Sequence, residues 1–186
     1  LWNHAASVVF KQYFFILTEE QYNSTTGLRT KEFVQWWFNY FNIGDTELKV
    51  VEKKIVDLVL QKIESTGNVM PGVGYIFDFF HKRNFKIGLA TSSPPELIEL
   101  VIKMTGIGPY VKAAASAEDL PYGKPHPQVY LNCASMLGSH PTHCLCFEDS
   151  FNGLVAAKAA RMKCVIVPHV TQQKDERFGA ADLKIS

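Results

Sequence analysis

Two adjacent carboxylates, Glu148 and Asp149, end the apolar run HCLCFED (143–149). Like charges side by side at the end of a buried strand are unfavourable unless a cation or a hydrogen-bond donor stabilises them. Carboxylate oxygens suit Mg²⁺, whose coordination is usually completed by waters and a substrate phosphate. The alternative is that Asp149 or Ser150 caps the following helix while Glu148 faces solvent. The pair is therefore a candidate magnesium site.

A hydroxyl group, that of Thr91, lies near the end of a second apolar run, KIGLATS (86–92). The next residues, Ser93-Pro-Pro-Glu, fit a helix capping box with proline at the first helical position. Ser93 is thereby explained as a helix cap, but Thr91 is not. A hydroxyl beside the free N–H groups of a helix start can hold a phosphate oxygen.

The third candidate is Lys124, in the segment YGKPHPQVY (122–130). Most loop lysines are simply solvated, and this remains the alternative. Here Gly123 and Pro125 flank the lysine, and rigid flanks fix the direction of the ammonium group. Such a fixed ammonium could neutralise a bound phosphate.

The elements that must position these groups change character along the chain. Residues 1–68 predict successive helices: the stretch 2–18 is densely apolar, and further helices open near Thr30 and Thr46. After this, helices alternate with short apolar runs, which predicts a parallel sheet covered on both faces. The predicted helices cover 72–83, 94–104, 127–138 and 151–161, and the strands cover 86–92, 111–116, 143–149, 163–168 and an edge strand in ADLKIS (181–186). Ligands of such sheets bind at the carboxyl ends of the strands, where all three candidates fall.

The composition is that of an ordinary globular protein, with 47% hydrophobic residues and a formal net charge of +1. This balance gives no reason to expect nucleic acid, and no apolar stretch reaches the ~20 residues of a membrane span. Cys144 and Cys146 alternate on a predicted strand and therefore share one face. They could be core residues of a cytosolic protein, or they could form a metal or disulfide pair. Because a second pair with zinc-site spacing is lacking, the core interpretation is favoured. We expect a cytoplasmic monomer.

Three motifs, LATSS (89–93), GKPHPQVY (123–130) and FEDSFNG (147–153), have the order and spacing found in the haloacid dehalogenase-like phosphatase superfamily. The chain resembles in particular its sugar-phosphate phosphatases with a helical cap, including bacterial hexitol and 2-deoxyglucose-6-phosphate phosphatases, and it is similar to beta-phosphoglucomutases. The resemblance implies an α/β fold in which a Rossmann-like parallel sheet core (69–186) carries a small all-helical cap domain (1–68).

The resemblance also implies roles for the candidate residues. Thr91 would bind the transferring phosphoryl group together with the backbone of Ser92, and Lys124 would neutralise its charge. Asp149 with Glu148 would support Mg²⁺, the implied cofactor. These assignments agree with the chemistry that the residue types suggest on their own.

In the cap, the family's specificity loop matches TGLRT (26–30). The resemblance therefore implies that Gly27, Leu28, Arg29 and Thr30 face the sugar. Arg29 could equally be a plain surface arginine. Trp2 aligns with a cap-hinge position near the site, although simple helix packing explains it as well.

One departure from the family concerns its D-x-D motif, which supplies the nucleophile and the general acid on the first, central strand. The sequence contains no D-x-D. The segment LWNHAA (1–6) resembles the residues that follow this motif, so we expect the motif about ten residues upstream of Leu1. A parallel sheet without its middle strand would leave buried N–H and C=O groups unpaired, at ~1 kcal/mol or more each. We therefore expect that the native protein carries this strand, and that residues 1–186 alone do not catalyse.

The implied function is Mg²⁺-dependent hydrolysis of small sugar phosphates, of a hexose or hexitol, through an aspartyl-phosphate. A beta-phosphoglucomutase-like mutase is the nearest alternative, and a non-catalytic relative that binds a phosphorylated ligand is a second. A receiver-type signalling domain also combines carboxylates, Thr and Lys on a parallel sheet, but the helical N-terminal unit argues against it. A dehalogenase would need no magnesium.

Overall fold

The computed structural model describes residues 1–185, and its N-terminal part is helical as the apolar spacing predicts. Four helices form this part: α1 (Trp2–Phe10), α2 (Glu19–Thr25), α3 (Thr30–Tyr40) and α4 (Leu48–Thr66). The sequence of the short helix α2 has no apolar periodicity that predicts a helix. It begins with a capping box in which Thr18 and Gln21 each bond the other's backbone N–H.

A single hydrophobic cluster holds the four helices together. Phe10 stacks on Phe33 at 5.5 Å between ring centroids, and the fully buried members of the cluster are Val9, Phe10, Val34, Phe38, Val51, Ile55 and Val59. Each such side chain contributes about 1.5–3 kcal/mol by burial. Leu97, from a helix of the second half, belongs to the same cluster. This N-terminal helical part (α1 to α4), called the cap below, therefore packs directly on the rest of the molecule.

The second half alternates helices and strands, which confirms the predicted α/β class. Its elements are α5 (Val73–His81), β1 (Ile87–Thr91), α6 (Pro95–Thr105), β2 (Val111–Ser116), α7 (Gln128–Met136), β3 (Leu145–Glu148), α8 (Phe151–Ala159), β4 (Lys163–Ile166) and β5 (Leu183–Lys184). The predicted edge strand in ADLKIS is reduced to the two residues of β5, and its last residue, Ser186, lies outside the described residues. In residues 1–185, no helix is long and apolar enough to cross a membrane.

All strand pairs are parallel, as predicted, but they form two sheets. β1 pairs with β2, with Thr91 opposite Ser116. β3 pairs with β4, with Glu148 opposite Ile166, and β4 pairs with β5. Within residues 1–185 no hydrogen-bonded ladder joins β1 to β3, so β1 and β3 each have one edge without a strand partner. Both strands end at the same side of the molecule, where the candidate site lies.

Three of the four cysteines, Cys133, Cys146 and Cys164, are buried in the core of the second half. Cys146 and Cys164 are register partners on β3 and β4. Burial raises the pKa of the Cys133 thiol to about 11, so this thiol stays protonated at neutral pH. Their burial matches the predicted role as core residues.

Candidate functional site

A cavity of about 290 Å³ lies between the helical cap and the carboxyl ends of β1 and β3. It brings together most of the residues that the sequence singled out. Its lining includes Thr91, Ser92, Lys124, Glu148 and Asp149 from the second half, and Trp2, Gly27, Leu28 and Thr30 from the cap. Residues far apart in the chain thus meet around one partly open cavity, with charged groups at one end and the cap above them.

Thr91 ends β1 and lies at the charged end of the cavity. Its Oγ1 accepts a hydrogen bond from the backbone N–H of Ser93 at 3.1 Å. The capping box predicted for Ser93 is wrong: helix α6 has Pro94 as its N-cap, with no side-chain cap bond. The helix starts one residue later than predicted, because the Pro94 carbonyl accepts its first backbone hydrogen bonds, from Leu97 and Ile98. Thr91, Ser92 and Ser93 all line the cavity.

The Lys124 side chain is buried, not solvated, with a relative exposure of 7%. Its Nζ donates to the carbonyl oxygen of Ala90 in β1 at 3.2 Å and to Oε1 of Glu148 in β3. It also lies 4.8 Å from the centre of the Tyr130 ring. Lys124 thereby links the ends of the two sheets and fixes one positive charge at the cavity wall.

The Glu148 carboxylate is fully engaged by protein groups. Oε1 accepts hydrogen bonds from Lys124 and from the Tyr130 hydroxyl, and Oε2 accepts them from the Ser150 hydroxyl and the backbone N–H groups of Asp149 and Ser150. Burial alone would raise the pKa of Glu148, but Lys124 and these hydrogen bonds outweigh it and lower the pKa. The alternative in which Glu148 faces solvent is therefore wrong. The Glu148 oxygens bind Lys124 and the other donors, which makes them less available for direct metal coordination.

Asp149 is the carboxylate that remains available to a ligand. Its side chain is exposed to the cavity, and no other residue of the described chain donates a hydrogen bond to it. Surrounding protein and the Glu148 charge raise its pKa, because both disfavour a second negative charge. A carboxylate whose negative charge is poorly compensated by its neighbours is a suitable ligand for a divalent cation. No cluster of three His, Cys, Asp or Glu side chains occurs within residues 1–185, so a cation here needs further ligands.

The first residues of α8 allow the Glu148 carboxylate to lie close to the helix. Ser150 caps this helix by accepting the N–H of Gly153 at 3.0 Å, as the capping alternative proposed. A Cβ at Gly153 would lie 2.1 Å from Cδ of Glu148. The glycine is therefore required by the close approach of the carboxylate to the helix.

Replacing Gly153 by alanine is expected to destabilise the protein by about 3 kcal/mol, since the added methyl group would push Glu148 away from Lys124. Urea unfolding measures this change. Gly74→Ala is the matched control, because nothing lies within 4 Å of a Cβ at that helical position, and alanine favours a helix. Equal unfolding midpoints for Gly153→Ala and the wild type would contradict the assigned packing.

The structure corrects the expectation that Arg29 faces the sugar. Its side chain is 4% exposed and does not line the cavity. The guanidinium donates instead to Glu32 and to the carbonyl oxygens of Ala117 and Leu120 in the loop after β2. Because its two terminal nitrogens, Nη1 and Nη2, donate to these acceptors, while the buried Nε has no partner within residues 1–185, Arg29 joins the cap to the core.

The rest of the cap loop closes over the strand ends. The Ser92 hydroxyl donates to the Gly27 carbonyl at 2.7 Å, and the Asn152 amide donates to the Thr26 carbonyl at 2.8 Å. Gly27 has φ +91°, and a Cβ there would lie 2.5 Å from Oγ of Ser150. Trp2 and Thr30 line the cavity as expected.

The sequence did not single out several cap residues that also line the cavity, namely Asn3, Ala6, Tyr22, Thr25, Phe33 and Ile55. Among these, the buried Tyr22 hydroxyl has no hydrogen-bond partner in the part of the chain that the structure describes, although the Ser7 side chain lies close enough to influence its pKa. Most of these residues also belong to the apolar stripes of cap helices. Apolar periodicity alone cannot separate a core-facing position from a cavity-facing one.

Comparison with known proteins agrees with this geometry. The family model described as haloacid dehalogenase-like hydrolase matches residues 4–161. Hexitol phosphatase B of Escherichia coli (strain K12) is 39% identical over 162 residues, which cover 87% of this chain and 73% of that protein.

Two solved structures share the fold at lower identity. A CbbY mutant from Rhodobacter sphaeroides in complex with xylulose-(1,5)bisphosphate has a TM-score of 0.86 at 19% identity, over 99% of this chain and 85% of that one. Beta-phosphoglucomutase from Clostridium difficile also has a TM-score of 0.86, at 21% identity, over 100% of this chain and 83% of that one. Given the extent of the family match, the chain belongs to the haloacid dehalogenase-like hydrolases.

Proposed function

We propose that the protein is a Mg²⁺-dependent phosphatase that hydrolyses small sugar phosphates, of a hexose or hexitol. The observation that carries this proposal is the charged end of the cavity. Thr91, Ser92 and Lys124 converge there with the available carboxylate of Asp149. A hydroxyl, backbone N–H groups and a fixed ammonium bind phosphate oxygens, while a carboxylate repels them unless a cation lies between. The similarity to hexitol phosphatase B adds the substrate class.

In this proposal each residue of the chain has a distinct task. The Thr91 hydroxyl and the Ser92 N–H bind oxygens of the phosphoryl group, and Lys124 offsets its charge during transfer. Glu148 orients Lys124 through their buried ion pair. Fixed groups of this kind stabilise developing charge without reorganising during the reaction.

Magnesium fits the residues present only in part. Asp149 would hold it, because a bound cation would offset the burial and the Glu148 charge that raise the pKa of this carboxylate. When bound, the ion would screen the phosphate charge from Asp149 and from the attacking group. The remaining ligands would come from the phosphate, water and residues outside this chain.

The nucleophile, following the family resemblance, would be an aspartate upstream of Leu1 on a strand between β1 and β3. The strand edges of β1 and β3 that lack a partner within residues 1–185 support this part of the proposal. The aspartate oxygen would form a bond to phosphorus as the bond from phosphorus to the sugar oxygen breaks. A second aspartate would protonate the leaving oxygen, and water would then hydrolyse the aspartyl-phosphate.

The cap would select the sugar and exclude bulk water. Trp2, Thr30 and Tyr22 line its side of the cavity, and each offers a polar atom or an apolar face to a carbohydrate. The volume of about 290 Å³ suits a small monosaccharide phosphate. The proposal includes a cytoplasmic monomer, and gel filtration of the full-length protein would test its monomeric state.

The test is phosphate release by the full-length protein from a panel of hexose and hexitol phosphates, with Mg²⁺ and with EDTA. We expect release that requires Mg²⁺ and is highest on one of these substrates. Conversion of glucose 1-phosphate to glucose 6-phosphate with little free phosphate would instead indicate a mutase. Binding without turnover would indicate a non-catalytic relative. Either result would overturn the proposed phosphatase activity.

A further inference from the structure

The N-terminus of α3 makes an extensive contact with the loop that connects β2 to Lys124. Arg29 donates to the carbonyl oxygens of Ala117 at 3.1 Å and of Leu120, and more weakly to that of Pro121 at 3.4 Å. An almost fully buried guanidinium needs such acceptors, because its charge is costly without them. The contact therefore exists only while the cap lies against the core.

Glu32 extends the same contact to the residue that precedes Lys124. Its Oε1 accepts the backbone N–H of Gly123 at 3.1 Å, and the carboxylate also pairs with the Arg29 guanidinium. A Cβ at Gly123 would lie 2.4 Å from Oε2 of Glu32 and 2.7 Å from Nε of Arg29. Glycine at this position therefore lets the cap side chains reach the backbone of the loop.

Lys124 is thus held from two sides. Its side chain is bound by Glu148 and by the Ala90 carbonyl of the core, whereas the backbone just before it is bound by Glu32 of the cap. When the cap opens, Gly123 loses its acceptor and the loop carbonyls lose the guanidinium. The loop that positions the phosphate-binding ammonium therefore depends on a group carried by the cap.

We propose that Arg29 and Glu32 form a latch which couples closure of the cap to the position of Lys124. The pair are positioning residues: they reach the phosphate site through the loop and do not contact the ligand. This inference rests on the proposed function in so far as Lys124 binds phosphate. Its consequence is that the site binds phosphate well only when the cap is closed. A small displacement of Lys124 would be enough to matter, since moving a catalytic group by about 1 Å can lower a reaction rate by ~10²-fold.

The test measures the affinity of the full-length protein for inorganic phosphate by calorimetry in the presence of Mg²⁺. Glu32→Ala removes the acceptor of Gly123 and the partner of Arg29, and we expect it to weaken phosphate binding about tenfold or more. Glu32→Gln keeps one carbonyl acceptor for Gly123, so its affinity should lie between those of the wild type and Glu32→Ala. Thermal unfolding shows that each variant is folded.

Lys31→Ala is the matched control. Lys31 lies beside the latch and also crosses to the core, where it donates to the Glu118 carbonyl, but it does not contact Gly123. We expect its phosphate affinity to stay within about twofold of the wild type, because exposed charge contacts of this kind are weak. Small-angle scattering should show a larger radius of gyration for Glu32→Ala in the absence of phosphate.

The outcomes separate the latch from the phosphatase activity. Unchanged phosphate affinity in Glu32→Ala, or an equal loss in Lys31→Ala, would overturn the latch while leaving the activity intact. Phosphate binding that weakens in Glu32→Ala, in a protein that hydrolyses no sugar phosphate, would support the latch and overturn the activity. A wild-type protein that binds no phosphate would overturn both.

Discussion

Replacing Lys124 by methionine is expected to lower phosphate release about 10²–10³-fold and to destabilise the fold as well. The loss of activity follows from removing a fixed charge that, in the proposed function, offsets the charge of the transferring phosphoryl group. The loss of stability follows from the buried ion pair, in which both side chains are 7% exposed. Removing one partner leaves Glu148 charged and buried, which costs about 3–5 kcal/mol. Steady-state kinetics and urea unfolding measure the two effects.

The double variant Lys124→Met with Glu148→Gln separates these effects. Because the new amide side chain would be neutral and could keep the Tyr130 and Ser150 contacts, we expect most of the stability to return. The activity should not return, since the ammonium is still missing. Lys163→Met, at a side chain that is 70% exposed, is the control for changing a lysine. A stable Lys124→Met single variant with normal turnover would contradict the assigned role of the ion pair.

The fold could be predicted largely because its signals are local. The alternation of helices with short apolar runs after residue 70 predicted β1 to β4 to within a few residues, and the parallel order of the strands followed. The convergence of Thr91, Lys124 and Asp149 could be predicted for the same reason: parallel strands end at one edge of a sheet.

The errors concern contacts between distant segments, which leave no local pattern. Nothing in TGLRT indicates that Arg29 will meet the carbonyls of a loop about 90 residues away. The ion pair between Lys124 and Glu148 is equally long-range, and it reassigns a carboxylate that the sequence suggested as half of a metal site. Ser93 is not the helix cap because α6 begins after Pro94, whose carbonyl accepts the first backbone hydrogen bonds of the helix. Side chains whose partners are fixed by tertiary packing require the structure.

Replacing Asp149 by asparagine is expected to abolish Mg²⁺-dependent phosphate release and to remove stabilisation of the protein by Mg²⁺. Asp149 is the cavity carboxylate to which no other residue of the described chain donates a hydrogen bond. A cation that binds only the folded protein raises the free energy of unfolding, by about 2.7 kcal/mol at a concentration of 100 Kd. Melting temperatures of the full-length protein, measured with Mg²⁺ and with EDTA, give this difference for each variant.

The control is Asp57→Asn, because Asp57 pairs with Lys53 on the surface of the cap and does not line the cavity. Its Mg²⁺-dependent rise in melting temperature should equal that of the wild type. If Asp149→Asn showed the same Mg²⁺-dependent rise in melting temperature as the wild type, the cation would bind elsewhere. The charged end of the cavity would then need another explanation. The neighbouring carboxylate could not replace Asp149 without cost, because Glu148 would have to give up Lys124 and Tyr130 to reach a metal. The dependence on Mg²⁺ should therefore rest on Asp149 and not be shared with its neighbour.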